Sequence, residues 1–223
     1  MPESVLMCWS GGKDSAMALR EVLRDPALRV EALLTTVTAD YERISMHGVR
    51  VSLLEAQARA LGLPLEQVRI PVHATNEQYD AAMREVLTRY QTRGVRRVVF
   101  GDLFLEDIRR YREERLATIG MEGIFPLWGR DTRTLSHTVI QLGFKAVLVC
   151  VDPKQIDPSL CGRDFDWRFL ADVSAMADPC GERGEFHTFV HDGPIFASPV
   201  AFVKGERVER DGFWFCDLDH PQA

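Results

Sequence analysis

The run Val5-Leu6-Met7-Cys8-Trp9 passes directly into Ser10-Gly11-Gly12-Lys13-Asp14-Ser15, and that into the apolar-periodic segment Ala16 to Leu23. A buried strand, a tight glycine-bearing turn and a helix satisfy this pattern. At such a joint the first helical amides lack an intrahelical acceptor and carry partial positive charge, so the turn is a ready anion site. Gly11 and Gly12 let the backbone approach a phosphate closely, Ser10 and Ser15 offer hydroxyls, and Lys13 adds a full charge. A turn merely capped by Asp14 would explain the glycines and the aspartate, but not a lysine flanked by two serines. Neither GxxxxGK[ST] nor GxGxxG is present, which excludes two common nucleotide loops.

The alternation continues. Val30 to Val37 has strand length, and a polar loop with His47-Gly48 leads to a helix from Val51 to Leu61, stopped by Gly62 and Pro64. Leu65 to Ile70 reads as a strand. Thr75-Asn76-Glu77-Gln78 has capping-box spacing and opens a helix ending near Gly94, and Val95 to Phe100 is a buried strand closing on Gly101-Asp102. This order predicts an α/β fold, a doubly wound and mostly parallel sheet with helices on both faces.

The second half is less regular. A helix from about Asp107 to Ile119 precedes Ile124-Phe125-Pro126-Leu127-Trp128; Asp131 caps a helix to about Leu142, and Lys145 to Val151 is a strand. From Glu185 the chain reads as strands Phe186 to Val190, Val200 to Lys204, Arg207 to Arg210 and Phe213 to Asp217, with Lys-Gly and Asp-Gly turns. A boundary near residue 125 therefore divides a domain over 1–125 from a smaller mixed α+β domain over 126–223.

With a net charge of −6, a broad electrostatic grip on nucleic acid is not expected. No apolar run approaches a membrane span and no basic leader precedes Glu3, so a cytoplasmic protein is expected. The five cysteines include no CxxC pair, which disfavours both a zinc knuckle and a disulfide framework. His187 and His191 fall on a predicted strand without an obvious third ligand, which argues against zinc.

The string SGGKDS after a first strand resembles the PP-loop of the ATP pyrophosphatases, whose domain is HUP-like. Further on come Gly101-Asp102-Leu103, then Asp107, Arg110, Arg112 and Glu114, then Pro126-Leu127-Trp128 with Arg130-Asp131, and finally CGERGEFHTFVHDGPIF from Cys180 to Phe196. In this order the set resembles the diphthine–ammonia ligase family, in the form of a bacterial-type relative, over Val5 to Phe196. The resemblance implies an ATP-dependent, AMP-forming ligase that adenylates a carboxylate and amidates it with ammonia or an amine. It also implies that 1–125 binds ATP and that 126–223 recognises the acceptor. Arg183 stands where the family usually has glycine and His187 where it has an acid, so the carboxylate is read as diphthine-like or another, on a small molecule or a protein side chain. Competing readings are a PP-loop tRNA-modifying enzyme, which generally carries cysteine pairs or a basic appendage not seen here, and a non-catalytic ATP sensor.

The expected ATP ligands are Ser10, Gly11, Gly12, Lys13, Asp14, Ser15, Thr35, Thr36, Gly101 and Asp102. Lys13, Asp107 and Arg110 are the expected catalytic residues; 107 and 110 share a helix face just past the fourth strand, where an arginine could meet the α-phosphate or a substrate carboxylate. His47, Arg112, Glu182, Glu185 and His187 are expected at the acceptor. Mg2+ is expected to arrive with the triphosphate and to use Asp14 and Asp102. The expected partners are ATP, the carboxylate acceptor and ammonia or an amine, with neither membrane nor nucleic acid, and a homodimer left open.

Overall fold

A computed structural model describes residues 1–173 and 177–221. The first half forms a parallel sheet in the order β4-β2-β1-β5-β6, from β1 (Glu3–Cys8), β2 (Leu28–Thr38), β4 (Leu65–Ile70), β5 (Arg97–Val99) and β6 (Glu122–Ile124). The two-residue β3 (Arg43–Ile44) adds an antiparallel extension beside the end of β2. Side-chain alternation along the strands explains the layering. Val5 and Met7 join one hydrophobic cluster with α1 (Lys13–Leu23) and α2 (Val51–Leu61), while Leu6 points into a second cluster under α3 (Asn76–Thr92) and α4 (Glu106–Ala117). The sheet is therefore doubly wound, as the strand–helix alternation predicts.

Local signals set the element ends. Thr75 and Gln78 form the reciprocal capping box that starts α3, and the Asp131 carboxylate accepts from the Thr134 amide to start α5 (Thr132–Gln141). Past α5 a second, antiparallel sheet has the order β8-β7-β10-β9, formed by β7 (Lys145–Val151), β8 (Phe186–Asp192), β9 (Val203–Arg210) and β10 (Phe213–Asp219). Asp211 and Gly212 both take positive φ, 52° and 81°, and make the two-residue hairpin turn joining β9 to β10. Lys204-Gly205, expected as a turn, instead lies inside β9. Its partner strand shifts register between Cys216 and Leu218, which accommodates the glycine without reversing the chain.

The second sheet packs on the α1 side of the first, and one apolar cluster runs from Met17, Leu19 and Leu54 through to Leu148, Phe186 and Phe189. A buried polar side chain fastens the seam between the sheets. Gln57, fully buried on the apolar face of α2, accepts from Trp9 Nε1 at 3.0 Å and donates to the carbonyls of Gly11 at 3.0 Å and Val190 at 2.6 Å. Every polar atom it buries is thereby matched.

Replacing Gln57 by leucine keeps the volume but strands the Trp9 indole N–H and the Val190 carbonyl. A loss of about 3 kcal/mol is expected from two buried groups left unpaired. Urea denaturation measures it; a loss below about 1 kcal/mol would mean that these bonds do not fasten the seam.

Candidate functional site

Strand order alone locates a crevice. The chain winds from β1 outward to β2 and β4, then returns through α3 to β5 on the other side of β1, so the direction reverses between β1 and β5. Ligands of open α/β sheets bind at the carboxyl ends of strands flanking such a reversal. A cavity of about 290 Å³ opens there. Its floor is Cys8, Trp9 and Ser10 after β1 with Asp14 and Ser15 of α1; one wall is Thr35 and Thr36 of β2. Another wall is Phe100, Gly101 and Asp102 after β5, with Tyr79 of α3 and Arg112 of α4. Ser45 and His47 close one side, and Glu182 and His187 reach in from the second half of the chain.

The loop after β1 is bound on both sides. Gly11 adopts φ +77°, a conformation that glycine takes without strain, and a Cβ there would stand 2.8 Å from Gln57 Oε1. A Cβ on Gly12 would meet His47 Cε1 at 3.0 Å and the Thr188 carbonyl at 3.1 Å. Gly12 is the N-cap of α1 without any side-chain cap, so the helix start is left to other partners. Thr188 Oγ1 takes the Lys13 amide at 3.1 Å. The Ser15 hydroxyl donates to the Gly12 carbonyl at 2.9 Å and lies 3.2 Å from the Ser10 hydroxyl. Gly101 passes so near the start of α1 that a Cβ would lie 2.9 Å from the Asp14 carbonyl carbon and 3.0 Å from Ser15 N.

Several expected residues meet at this cavity and others do not. Ser10, Asp14, Ser15, Thr35, Thr36, His47, Gly101, Asp102, Arg112, Glu182 and His187 all line it. Lys13 departs from expectation. Its side chain is 2% exposed, and Nζ binds Asp14 Oδ2 at 2.9 Å and the Cys180 carbonyl, near the rings of Phe165 and Phe186. Asp107 and Arg110 lie on the exposed face of α4, because Arg112 and Leu116, one turn apart, are the residues that turn inward. Glu185 is buried but faces its own loop, its two oxygens accepting from the amides of Asp178 at 2.8 Å and Arg183 at 2.9 Å. Gln57 and Thr188 were not singled out by the sequence reading. For Gln57 the signal existed, a polar residue in line with Leu53 and Leu54 on the apolar stripe of α2.

The electrostatics are those of an acidic pocket with neutral imidazoles. Arg112 is committed to Asp102, with Nε 2.9 Å from Oδ2, and stacks 4.5 Å from the Phe100 ring centre. Burial raises the Asp14 carboxyl above its usual range despite Lys13 beside it. Glu182 gives one oxygen to the amides of Leu103, at 2.7 Å, and Phe104, at 3.4 Å. Burial, reinforced by Asp14 and Asp102, pushes its carboxyl up to about 7. The rings of His47 and His187 stand 4.6 Å apart. Burial holds both below their ordinary value, His187 at about 4, with Lys13 adding to the effect and His187 itself lowering His47. His47 Nδ1 lies 3.2 Å from the Thr188 carbonyl, an acceptor only, so Nδ1 carries the proton and Nε2 is left as an acceptor.

No group of three or more metal-ligating side chains occurs among the described residues. Asp14 Oδ1 is nevertheless buried without a hydrogen-bond donor, whereas both Asp102 oxygens face Arg112, so Asp14 offers the open oxygen for a cation that takes its other ligands from phosphate and water. Among the described residues no helix is long and apolar enough to cross a membrane.

Comparison with known proteins gives a consistent result. The family model for the diphthamide synthase N-terminal domain matches residues 3–122, more than half of the chain, and that for the diphthamide synthase C-terminal domain matches 131–220. A diphthine–ammonia ligase of Schizosaccharomyces pombe is 26% identical over 233 aligned residues, covering 96% of this chain but only 38% of the relative. One from Danio rerio is 27% identical and covers 89% of this chain and 86% of its own length. A third, from Bos taurus, is 27% identical over 47% of this chain and 41% of its own.

The half-buried histidines give the site a pH signature. Unfolded, His187 titrates near 6.5, and folded at about 4, so between these values the unfolded chain binds more protons and stability falls as pH falls. Between pH 7 and pH 4.5 the parent should lose about 2 kcal/mol more than His187→Asn, read from urea midpoints. Equal losses would mean that His187 is already free to protonate in the folded chain.

Proposed function

The chain belongs to the diphthamide synthase family, and from that footing we propose that it is an ATP-dependent ligase that activates a carboxylate as an acyl adenylate and amidates it with ammonia. One observation carries the reading: Glu182, from the late glutamate motif, reaches the same cavity as Ser10, Asp14 and Ser15 of the first loop. Nucleotide activation and acceptor chemistry need such a common space, because the activated carbonyl must meet its nucleophile before water does.

In this reading the loop and the start of α1 hold the β- and γ-phosphates through backbone amides and the hydroxyls of Ser10 and Ser15. The ribose and base lie toward Thr35 and Thr36, beside Gly101. The acceptor carboxylate attacks the α-phosphorus, the bond to the β-phosphate oxygen breaks, and pyrophosphate leaves from the loop that stabilises its charge. Mg2+ would be held by Asp14, and by Asp102 only where Arg112 yields it, and would offset phosphate charge in a pocket whose own groups are mainly anionic. Glu182, poised near neutrality, takes a proton from ammonium; ammonia attacks the acyl carbon, the bond to the phosphate oxygen breaks, and AMP departs as its phosphate takes the extra proton from the new amide nitrogen. Residues 1–125 thus bind and activate ATP while 126–223 supply acceptor recognition. The acceptor is a carboxylate of the diphthine type, as the relatives' names suggest.

The test is product analysis with ATP, Mg2+, ammonium and a diphthine-bearing protein. AMP and pyrophosphate are expected. Glu182→Gln should slow AMP formation about 100-fold, the usual worth of a general base, while nucleotide affinity stays within about twofold. ADP and phosphate as the main products would overturn the adenylation mechanism.

A further inference from the structure

A lysine in a phosphate loop is ordinarily read as a phosphate ligand, and Lys13 does not sit as one. The two residues that follow it, Asp14 and Ser15, line the cavity, whereas Lys13 does not. Its ammonium is paired with Asp14 and bonded to the Cys180 carbonyl, and lies 5.6 Å and 5.1 Å from the ring centres of Phe165 and Phe186. Its own amide is taken by Thr188 Oγ1. To swing into the cavity it would have to abandon two aromatic faces and leave a half-buried carboxylate oxygen and a buried carbonyl without a donor.

The far end of this tie is a preformed turn. Asp178 Oδ1 accepts from the Cys180 amide at 2.8 Å, and Glu185 accepts from Asp178 and Arg183, so residues 178 to 185 are tied to one another. That unit carries Glu182. It is fastened to the first half of the chain at two points, Glu182 to the Leu103 amide and Lys13 to the Cys180 carbonyl.

We infer that Lys13 is a positioning residue, whose ammonium ties the phosphate loop to the Cys180–Glu182 turn and fixes where the Glu182 carboxylate stands in the cavity. The inference rests on the ligase reading only for what Glu182 then does. It also accounts for the charge: an ammonium can serve Asp14 and a carbonyl together.

The experiment pairs two measurements on Lys13→Met, which keeps a long apolar side chain and removes the ammonium. The first is the affinity for α,β-methylene-ATP with Mg2+ by titration calorimetry; a change below threefold is expected. The second is amide hydrogen exchange, expected to quicken at least tenfold over residues 178–185 and at Leu103 and Phe104, with α3 unchanged. Lys13→Gln, whose amide can still donate to the carbonyl, should restore part of the protection, and it serves alone if the methionine variant does not fold. A tenfold loss of affinity, or unchanged exchange in the turn, overturns the inference. A parent that fails to bind the analogue overturns the ligase reading instead, and the exchange pattern then decides the role of Lys13 by itself.

Discussion

The free edge of β8 lies along the loop that follows β1, and most of the site depends on that contact. Val190 N donates to the Gly11 carbonyl at 2.8 Å, Lys13 N donates to Thr188 Oγ1, and His47 Nδ1 meets the Thr188 carbonyl. An edge strand exposes backbone groups that need partners, and a phosphate loop needs a backbone that does not move when charge arrives. Each requirement is met by the other. The contact also gives the two glycines a second reason beyond phosphate approach, since Gln57, His47 and Thr188 occupy the space that side chains would need. Through the same strand His187 enters the cavity, so the second sheet is part of the site.

Charge follows from this geometry. Asp14, Asp102 and Glu182 converge on one cavity, the guanidinium there is tied to Asp102, and the two imidazoles are held neutral by burial. Such a pocket repels a bare polyphosphate and favours one that brings its own cation. It also favours ammonium over a free anion as the later visitor. The backbone amides of the loop, whose partial charge cannot titrate, are then the constant attraction for phosphate across pH.

What was legible in the sequence was what local chemistry writes there. The capping box at Thr75 and Gln78 and the Asp131 cap need only near neighbours to take shape, and the strand from Lys145 to Val151 is marked by its own apolar run. The glycine-bearing loop after β1 showed where the cavity would be, because a helix start after a buried strand has few alternatives. The direction of individual side chains was harder. In α4 Leu116 alone is buried, so its charged sequence carries almost no phase, and Asp107 with Arg110 looked as suitable as Arg112. Lys13 and Glu185 were misdirected for a different reason. Both satisfy partners more than a turn away, Cys180 in one case and Asp178 in the other, and sequence spacing cannot show which of two polar surroundings a long side chain will choose.

The two departures from the family motif now separate physically. In the turn Cys180-Gly181-Glu182-Arg183-Gly184-Glu185, the positive φ values fall at Gly181, 70°, and Gly184, 84°, and not at 183. Position 183 therefore admits a side chain without backbone strain, and Arg183 lays its guanidinium 5.7 Å from the Phe104 ring centre. Arginine in place of glycine there leaves the cavity lining as it was. Position 187 is another matter, because its side chain is in the lining. A histidine held neutral in place of an acid takes one negative charge out of a pocket that already contains three carboxylates, and it places an aromatic ring against His47. An acceptor that approaches as an anion meets less repulsion in this chain than beside a fourth carboxylate. Of the two positions, His187 is thus the one that bears on the cavity, on the strand that also holds the phosphate loop.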